Sequence, residues 1–411
     1  MTDVTKAAAP AAPAAAAPPI SYAGKARSIA LLCFAEIAAM SLWFVSAAIL
    51  PEMTAEAGLS SARGAALSSA VQIGFVIGAL GFAVLGLADR FDPRRVFLLS
   101  GLVASAANGL LLVTPVGGLE QVTLRAITGA ALAGVYPVGM KIAVGWGTKD
   151  RGFLVGLLVG ALTLGSASPH LIALLGGVDW RATVMTASVA SALGAVLVLL
   201  TQLGPHHVPA PRFDPRVIAQ AWTNRRVRLA YAGYLGHMWE LYAFWAWCAA
   251  IATASFAAAG LDQPETAARL TAFSAIALGG LACVPVGIIA DRIGKARAAQ
   301  AMMVVSGLAG LASALAFGGP VWVMATALIL WGVFIIPDSA QFSALVADSA
   351  PPASVGSLMT FQTALGFALT ALTVQVTPML SVMLGWPVTI AIMVLGPMFG
   401  IEAMRRLIQE K

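Results

Sequence analysis

Charge is what this sequence has least of. Asp, Glu, Lys and Arg make up 10% of its 411 residues, where a soluble domain carries about 25%, and that deficit excludes an aqueous globule. Cysteine is scarce: Cys33, Cys248 and Cys283 all fall inside apolar runs without metal-ligand spacing, which supports neither a disulfide framework nor a zinc site. No Gly-rich loop ends in Gly-Lys-Ser/Thr, so ATP does not drive this protein. Among His, Asp and Glu only His237 and Glu240 lie close together inside an apolar run. An intramembrane enzyme would need a denser cluster, so no catalytic residue, metal or cofactor is expected. A non-transporting sensor would normally carry a soluble output domain, and no segment reads as one.

What is present is apolar surface. Hydrophobic residues make up 59% of the chain and mean hydropathy is +0.88. Apolar runs bounded by charge, Pro or Gly fall at roughly 28–50, 64–88, 96–114, 121–145, 152–175 and 182–203, then 229–256, 268–290, 298–317, 320–346, 354–380 and 386–404, each near the ~20 residues that span a bilayer. Residues 1–27 begin with an Ala/Pro-rich stretch that Pro10, Pro13, Pro18 and Pro19 interrupt; this reads as a disordered tail and not as a secretory signal. The polar, basic stretch 204–228 is the longest connection and reads as a linker between a first bundle, 28–203, and a second, 229–411.

Lys and Arg set the orientation. One set of loops and tails holds twenty of them, from Lys6, Lys25 and Arg27 to Arg405, Arg406 and Lys411; the other side has Arg63, Arg125, Arg181 and Arg269. Both termini are therefore expected in the cytoplasm, with the chain in the cell inner membrane. The net charge of +6 belongs to this asymmetry, so the partner is the bilayer and not a nucleic acid.

An internal repeat is visible. After the second run comes Gly86-Leu87-Ala88-Asp89-Arg90-Phe91-Asp92-Pro93-Arg94-Arg95, and after the eighth Gly287-Ile288-Ile289-Ala290-Asp291-Arg292-Ile293-Gly294-Lys295-Ala296-Arg297; Asp89 and Asp291 are 202 residues apart. Both resemble the loop signature of the major facilitator superfamily, a Gly four residues before Asp-Arg and then Gly and two basic residues. The second copy fits. In the first, Gly86 lies three residues before Asp89, and Asp92-Pro93 stands where the loop Gly is expected. Arg125 with Gly129 is similar to the family's Arg-x-x-x-Gly motif; Gly156, Gly160, Gly165 and Pro169 only loosely resemble its antiporter motif, because the Gly-Pro pair is missing. The chain thus resembles a bacterial secondary transporter of this superfamily, with no subfamily assigned. The resemblance implies an all-α membrane fold of twelve transmembrane helices in two pseudo-symmetric six-helix bundles, a central cavity lined by the first and seventh, and alternating access by rocking of the halves. A carboxylate such as Asp89 or Asp291 can meet the positive end of a neighbouring helix. Arg90 and Arg292 anchor the same loops, so all four are gate candidates.

Intramembrane charge costs roughly 2.5–3.5 kcal/mol on insertion scales, so each instance marks a candidate site. Glu36 lies on the order of 12 Å inside the first run, at 1.5 Å per residue. Glu240, 204 residues later, is its near repeat mate, and the two read as cavity acids that bind protons or a cationic solute, or as carboxyls paired within a half. His237, three residues before Glu240 on the same helix face, reads as a proton relay or as a histidine bonded to a neighbouring helix. Pro137 and Pro337 are 200 residues apart; Lys141 and Asp338, each beyond its proline, are a candidate gate ion pair. Arg125 is expected beside the cavity, with Trp43 and Trp239 as aromatic contacts for an organic solute.

Together these point to a monomeric, proton-coupled secondary transporter of a small neutral, cationic or zwitterionic organic solute. The alternatives are a carrier of a small organic or inorganic anion that uses Arg125, or a non-transporting membrane sensor. Nitrate porters, which the chain superficially resembles, place an Arg in helix 2 and another in helix 8; here Gln72 and Ser274 occupy those middles.

Overall fold

A computed structural model describes residues 22–147, 150–176, 179–207, 213–351 and 354–410. These residues form helices and no strand. Twelve helices are long and apolar enough to cross a membrane: α1 (Ala23–Ala57), α2 (Ser61–Leu85), α3 (Pro93–Val113), α4 (Leu119–Val144), α5 (Gly152–Leu175), α6 (Trp180–Leu200), α7 (Arg225–Ala258), α8 (Pro264–Ile293), α9 (Lys295–Ala316), α10 (Val321–Ser349), α11 (Val355–Leu384) and α12 (Trp386–Gln409). The chain is a multi-pass membrane protein. An even number of spans puts both ends of the described chain on one face, called here the termini face; the other is the far face.

The expected tail at 1–27 lies outside the described residues up to position 21, and from Tyr22 the backbone is already helical. Lys6, Lys149, Arg212 and Lys411 also lie outside them. The expected linker contains a 3₁₀ turn, Pro215–Ala219, a one-turn helix, Gln220–Thr223, and the first turn of α7.

Local chemistry explains the helix ends. α2 stops at Gly86, which takes a left-handed φ of 61° that a side chain would resist. The carboxylate of Asp92 then accepts the Arg94 backbone N–H and starts α3 with Pro93 at its first position. Arg94 also binds Asp92 through its guanidinium and so holds that carboxyl below the usual carboxylate range. The first copy of the loop motif thus replaces its glycine with an Asp-Pro cap.

Four spans are interrupted, one of them α12, at the single residue Val394. α10 breaks at 336–338, where Pro337 has no N–H to donate. α4 breaks at 133–135, just before Pro137, and α1 at 41–44, where no proline stands. α7, the repeat mate of α1, runs unbroken over 34 residues.

Helices α1–α6 and α7–α12 form two halves. The halves meet chiefly as α5 on α8 and α2 on α11, two interfaces that a pseudo-two-fold exchange of the halves interconverts. Close approach depends on small residues, as lipid-embedded packing requires. A Cβ at Gly129 of α4 would lie 2.0 Å from the Val71 carbonyl oxygen of α2, and one at Gly74 would lie 1.9 Å from that of Ala126. Between the halves, Gly160 and Gly280 face each other, each 3.0 Å by the same measure from the other's carbonyl oxygen.

Candidate functional site

The seam between the halves is closed at mid-depth by aromatic rings. Trp43 and Phe44 come from the break in α1, Phe75 from α2, Tyr242 and Trp245 from α7, and Phe367 from α11. Across the seam, the ring centroids of Phe75 and Phe367 are 4.4 Å apart, those of Trp43 and Phe367 5.4 Å, and those of Trp43 and Tyr242 5.8 Å. The indole N–H groups of Trp43 and Trp245 are buried without a partner among the described residues.

Below this layer, toward the termini face, the seam is hollow. One cavity of about 270 Å³ lies between Asp89, Pro137 and Val138 of one half and Met359, Thr360 and Thr363 of the other. A second of about 650 Å³ is lined by Asp150 and Gly156 on one side and Cys283, Asp291, Lys295 and Gln341 on the other. Above the layer the halves are joined. Polar side-chain contacts cross between them toward the far face: Ser69 to Gln375, Gln375 to the Ala62 carbonyl, Arg269 to the Ala173 carbonyl, and the Arg269–Glu52 ion pair.

Arg125 is fully buried within the first half and holds the broken helix together. Its guanidinium donates to Asn108 Oδ1 at 2.8 Å and to the carbonyls of Leu42 and Trp43 at 2.9 and 2.7 Å. Those carbonyls lie in the break of α1 and lack continuous helical partners. Three charge-assisted bonds at ~1.5–3 kcal/mol each outweigh the insertion cost of one arginine. Asn108 passes the network on to Ser188 of α6 at 2.9 Å. The second half has an unbroken α7 and Ala325 two hundred residues after Arg125, so the arginine and the break occur together.

The two near-symmetric glutamates do not share a cavity; neither lines the hollows described above. Glu36 is wedged against α4, its Oε2 2.6 Å from where a Cβ on Gly139 would sit, and neither carboxyl oxygen has a partner among the described residues. Glu240 is bound inside the second half, accepting from Ser306 Oγ of α9 at 2.8 Å and from Trp331 Nε1 of α10 at 3.0 Å. Both oxygens are thereby engaged, and His237 is not among their partners. His237 turns instead to the break in α10, where its Nδ1 is 2.9 Å from Asp338 Oδ1. Both groups are buried and at ion-pair distance, without the alignment of a linear hydrogen bond. Trp239 also leaves the seam: it donates to the Ile392 carbonyl of α12 and lines a pocket between α7, α11 and α12.

The expected Lys141–Asp338 gate pair, which requires a closed termini face, is absent from this state, hollow on that face. Lys141 reaches the loop of its own half, donating to the Ala88 carbonyl at 2.8 Å and pairing with Asp89, whereas Asp338 belongs to His237. A lysine one turn from its helix end bonds the nearest termini-face loop; an aspartate following a mid-helix proline stays inside the bundle. Asp291 sits across the seam from α5, its Oδ2 3.9 Å from a Cβ built on Gly152. Arg90 and Arg292 are exposed on the termini face. Asn108, Ser306 and Trp331 complete the buried networks. Ser and Asn inside apolar runs were the available signal, but nothing in the sequence says which helix they face.

Two six-helix halves, hollow between them on one face and bonded on the other, define a two-bundle membrane carrier fold. The chain matches the model of the Major Facilitator Superfamily over residues 32–374, and it belongs to that family. It is 28% identical over 356 residues to "Probable nitrate/nitrite transporter NarK2" of Mycobacterium tuberculosis, covering 82% of this chain and 84% of that one. Among solved structures, it superposes on a bacterial homolog of the human lysosomal transporter Spinster in an inward-facing and occupied conformation (TM-score 0.72, 13% identity, 95% of this chain and 98% of that one). It also superposes on the xylose transporter XylE of E. coli in a partially occluded inward-open conformation (TM-score 0.72, 12% identity, 93% and 98%). At such identities these two show the fold alone.

Proposed function

We propose that this chain is a proton-coupled secondary transporter that moves a small neutral, cationic or zwitterionic organic solute across the cell inner membrane by alternating access, with both termini in the cytoplasm and one chain as the working unit. The carrying observation is the asymmetry of the seam: joined at the far face, aromatic at mid-depth, hollow toward the termini face. With cytoplasmic termini this corresponds to an inward-facing state. The cations inside the spans already serve the chain's own groups: Arg125 holds the break in α1 and Lys141 holds Asp89. The arrangement suits a solute that needs no fixed positive charge. The buried His237–Asp338 pair, at a helix break that can change with conformation, supports a proton site in the second half.

The relationship to a nitrate/nitrite transporter favours a second reading, a carrier of a small anion. Reconstitution into liposomes separates the two. We expect a proton gradient to drive accumulation of an organic solute from a panel of neutral, cationic and zwitterionic compounds. Asp338→Asn should remove that drive while leaving solute exchange. Uptake of nitrate or nitrite by the wild-type protein, with no organic solute transported, would replace the proposal with the anion reading.

A further inference from the structure

At the far face, Glu52 of α1 and Arg269 of α8 form an ion pair across the seam, each side chain only 11% exposed. Arg269 also donates to the Ala173 carbonyl near the end of α5 at 3.4 Å, so one arginine of the second half engages two helices of the first. The second oxygen of the Glu52 carboxylate is buried with no partner among the described residues, which makes the contact a single attachment that can be released. An exposed pair would contribute little, but burial and the position of this pair across the moving interface set it apart. One turn further along α1, Glu56 makes a bidentate pair with Arg181 of α6, at 2.8 and 2.7 Å. That pair lines the same far-face cavity of about 640 Å³ as Glu52 but joins two helices of one half.

We infer that Glu52 and Arg269 are the far-face gate residues of the transport cycle, closing the seam in the state described here and separating when the far face opens. The Glu56–Arg181 pair, with similar chemistry in the same cavity, only braces one half. This deepens the transporter reading by assigning its gate, and it rests on that reading.

The test measures distances between spin labels in the full-length protein in lipid nanodiscs, with Cys33, Cys248 and Cys283 replaced by Ala. Labels at Glu120→Cys and Asp262→Cys report the far face; labels at Arg95→Cys and Arg297→Cys report the termini face. In Glu52→Gln and in Arg269→Gln, we expect the far-open population to rise on the order of tenfold, equivalent to about 1.4 kcal/mol, with the termini-face distance shortening in step. Arg181→Gln should leave both distributions unchanged, and the exchange Glu52→Arg with Arg269→Glu should return much of the closed population. Unchanged distributions in both gate variants, or an equal shift in Arg181→Gln, would overturn the assignment. The distances need no solute, so the gate can stand even if no solute is carried, and the transporter reading can stand without this gate.

Discussion

Replacing Arg125 by Met tests whether this arginine serves the fold or the solute. The change keeps a long side chain in the buried space between α1, α3 and α4 but removes every donor. It leaves the Leu42 and Trp43 carbonyls and the Asn108 amide oxygen without the partner they have at 2.9, 2.7 and 2.8 Å. A buried polar group left unpaired costs about 1–3 kcal/mol, so three amount to roughly 3–9 kcal/mol. Against this, Met avoids the roughly 2.5–3.5 kcal/mol of placing a cation in the membrane. A net loss of about 3 kcal/mol follows, which at about 2–4 °C per kcal/mol for a cooperative unit the size of one six-helix half lowers Tm by on the order of 6–12 °C. Arg125→Lys should recover only part of it, because an ammonium cannot reproduce the planar fork that spans Asn108 and two carbonyls. The assay is thermal unfolding of purified protein in detergent, followed by tryptophan fluorescence, beside transport in liposomes. A Met variant that melts like the wild type yet transports nothing would refute the structural role and place Arg125 on the solute.

Other outcomes follow from the same geometry. A double-mutant cycle on Lys141→Ala and Asp89→Ala should show a coupling of about 0.5–1 kcal/mol in unfolding, as for a part-exposed pair, whereas Lys141→Ala and Asp338→Ala should add; the reverse pattern would restore the gate pair expected from sequence. Gly129→Val should destabilise by about 3 kcal/mol or more, because its side chain would meet the Val71 backbone. Gly81→Val, with nothing within 4 Å of its Cβ position, should fold like the wild type by the same thermal assay.

The spans, their number and the two-fold repeat were legible in the sequence because each rests on local chemistry. Apolar length measures a bilayer, Gly86 and Gly294 take positive φ angles that end α2 and α8, and Pro337 removes a backbone donor from α10 wherever the helix is placed. Arg125 was legible as a buried arginine through the membrane cost of its charge and its spacing to Gly129. Its partners were not, because the α1 break that supplies the carbonyls has no proline to announce it. Tertiary structure alone decided which charged groups meet. A helix can turn about its axis and slide along it without any change in its apolar pattern, and those two freedoms determine whether Glu240 faces the seam or faces Ser306 and Trp331. Backbone contacts such as Gly129 on Val71 remove both freedoms. Only then do Lys141 and Asp89, His237 and Asp338, and Glu52 and Arg269, residues 52 to 217 positions apart, come within reach of one another.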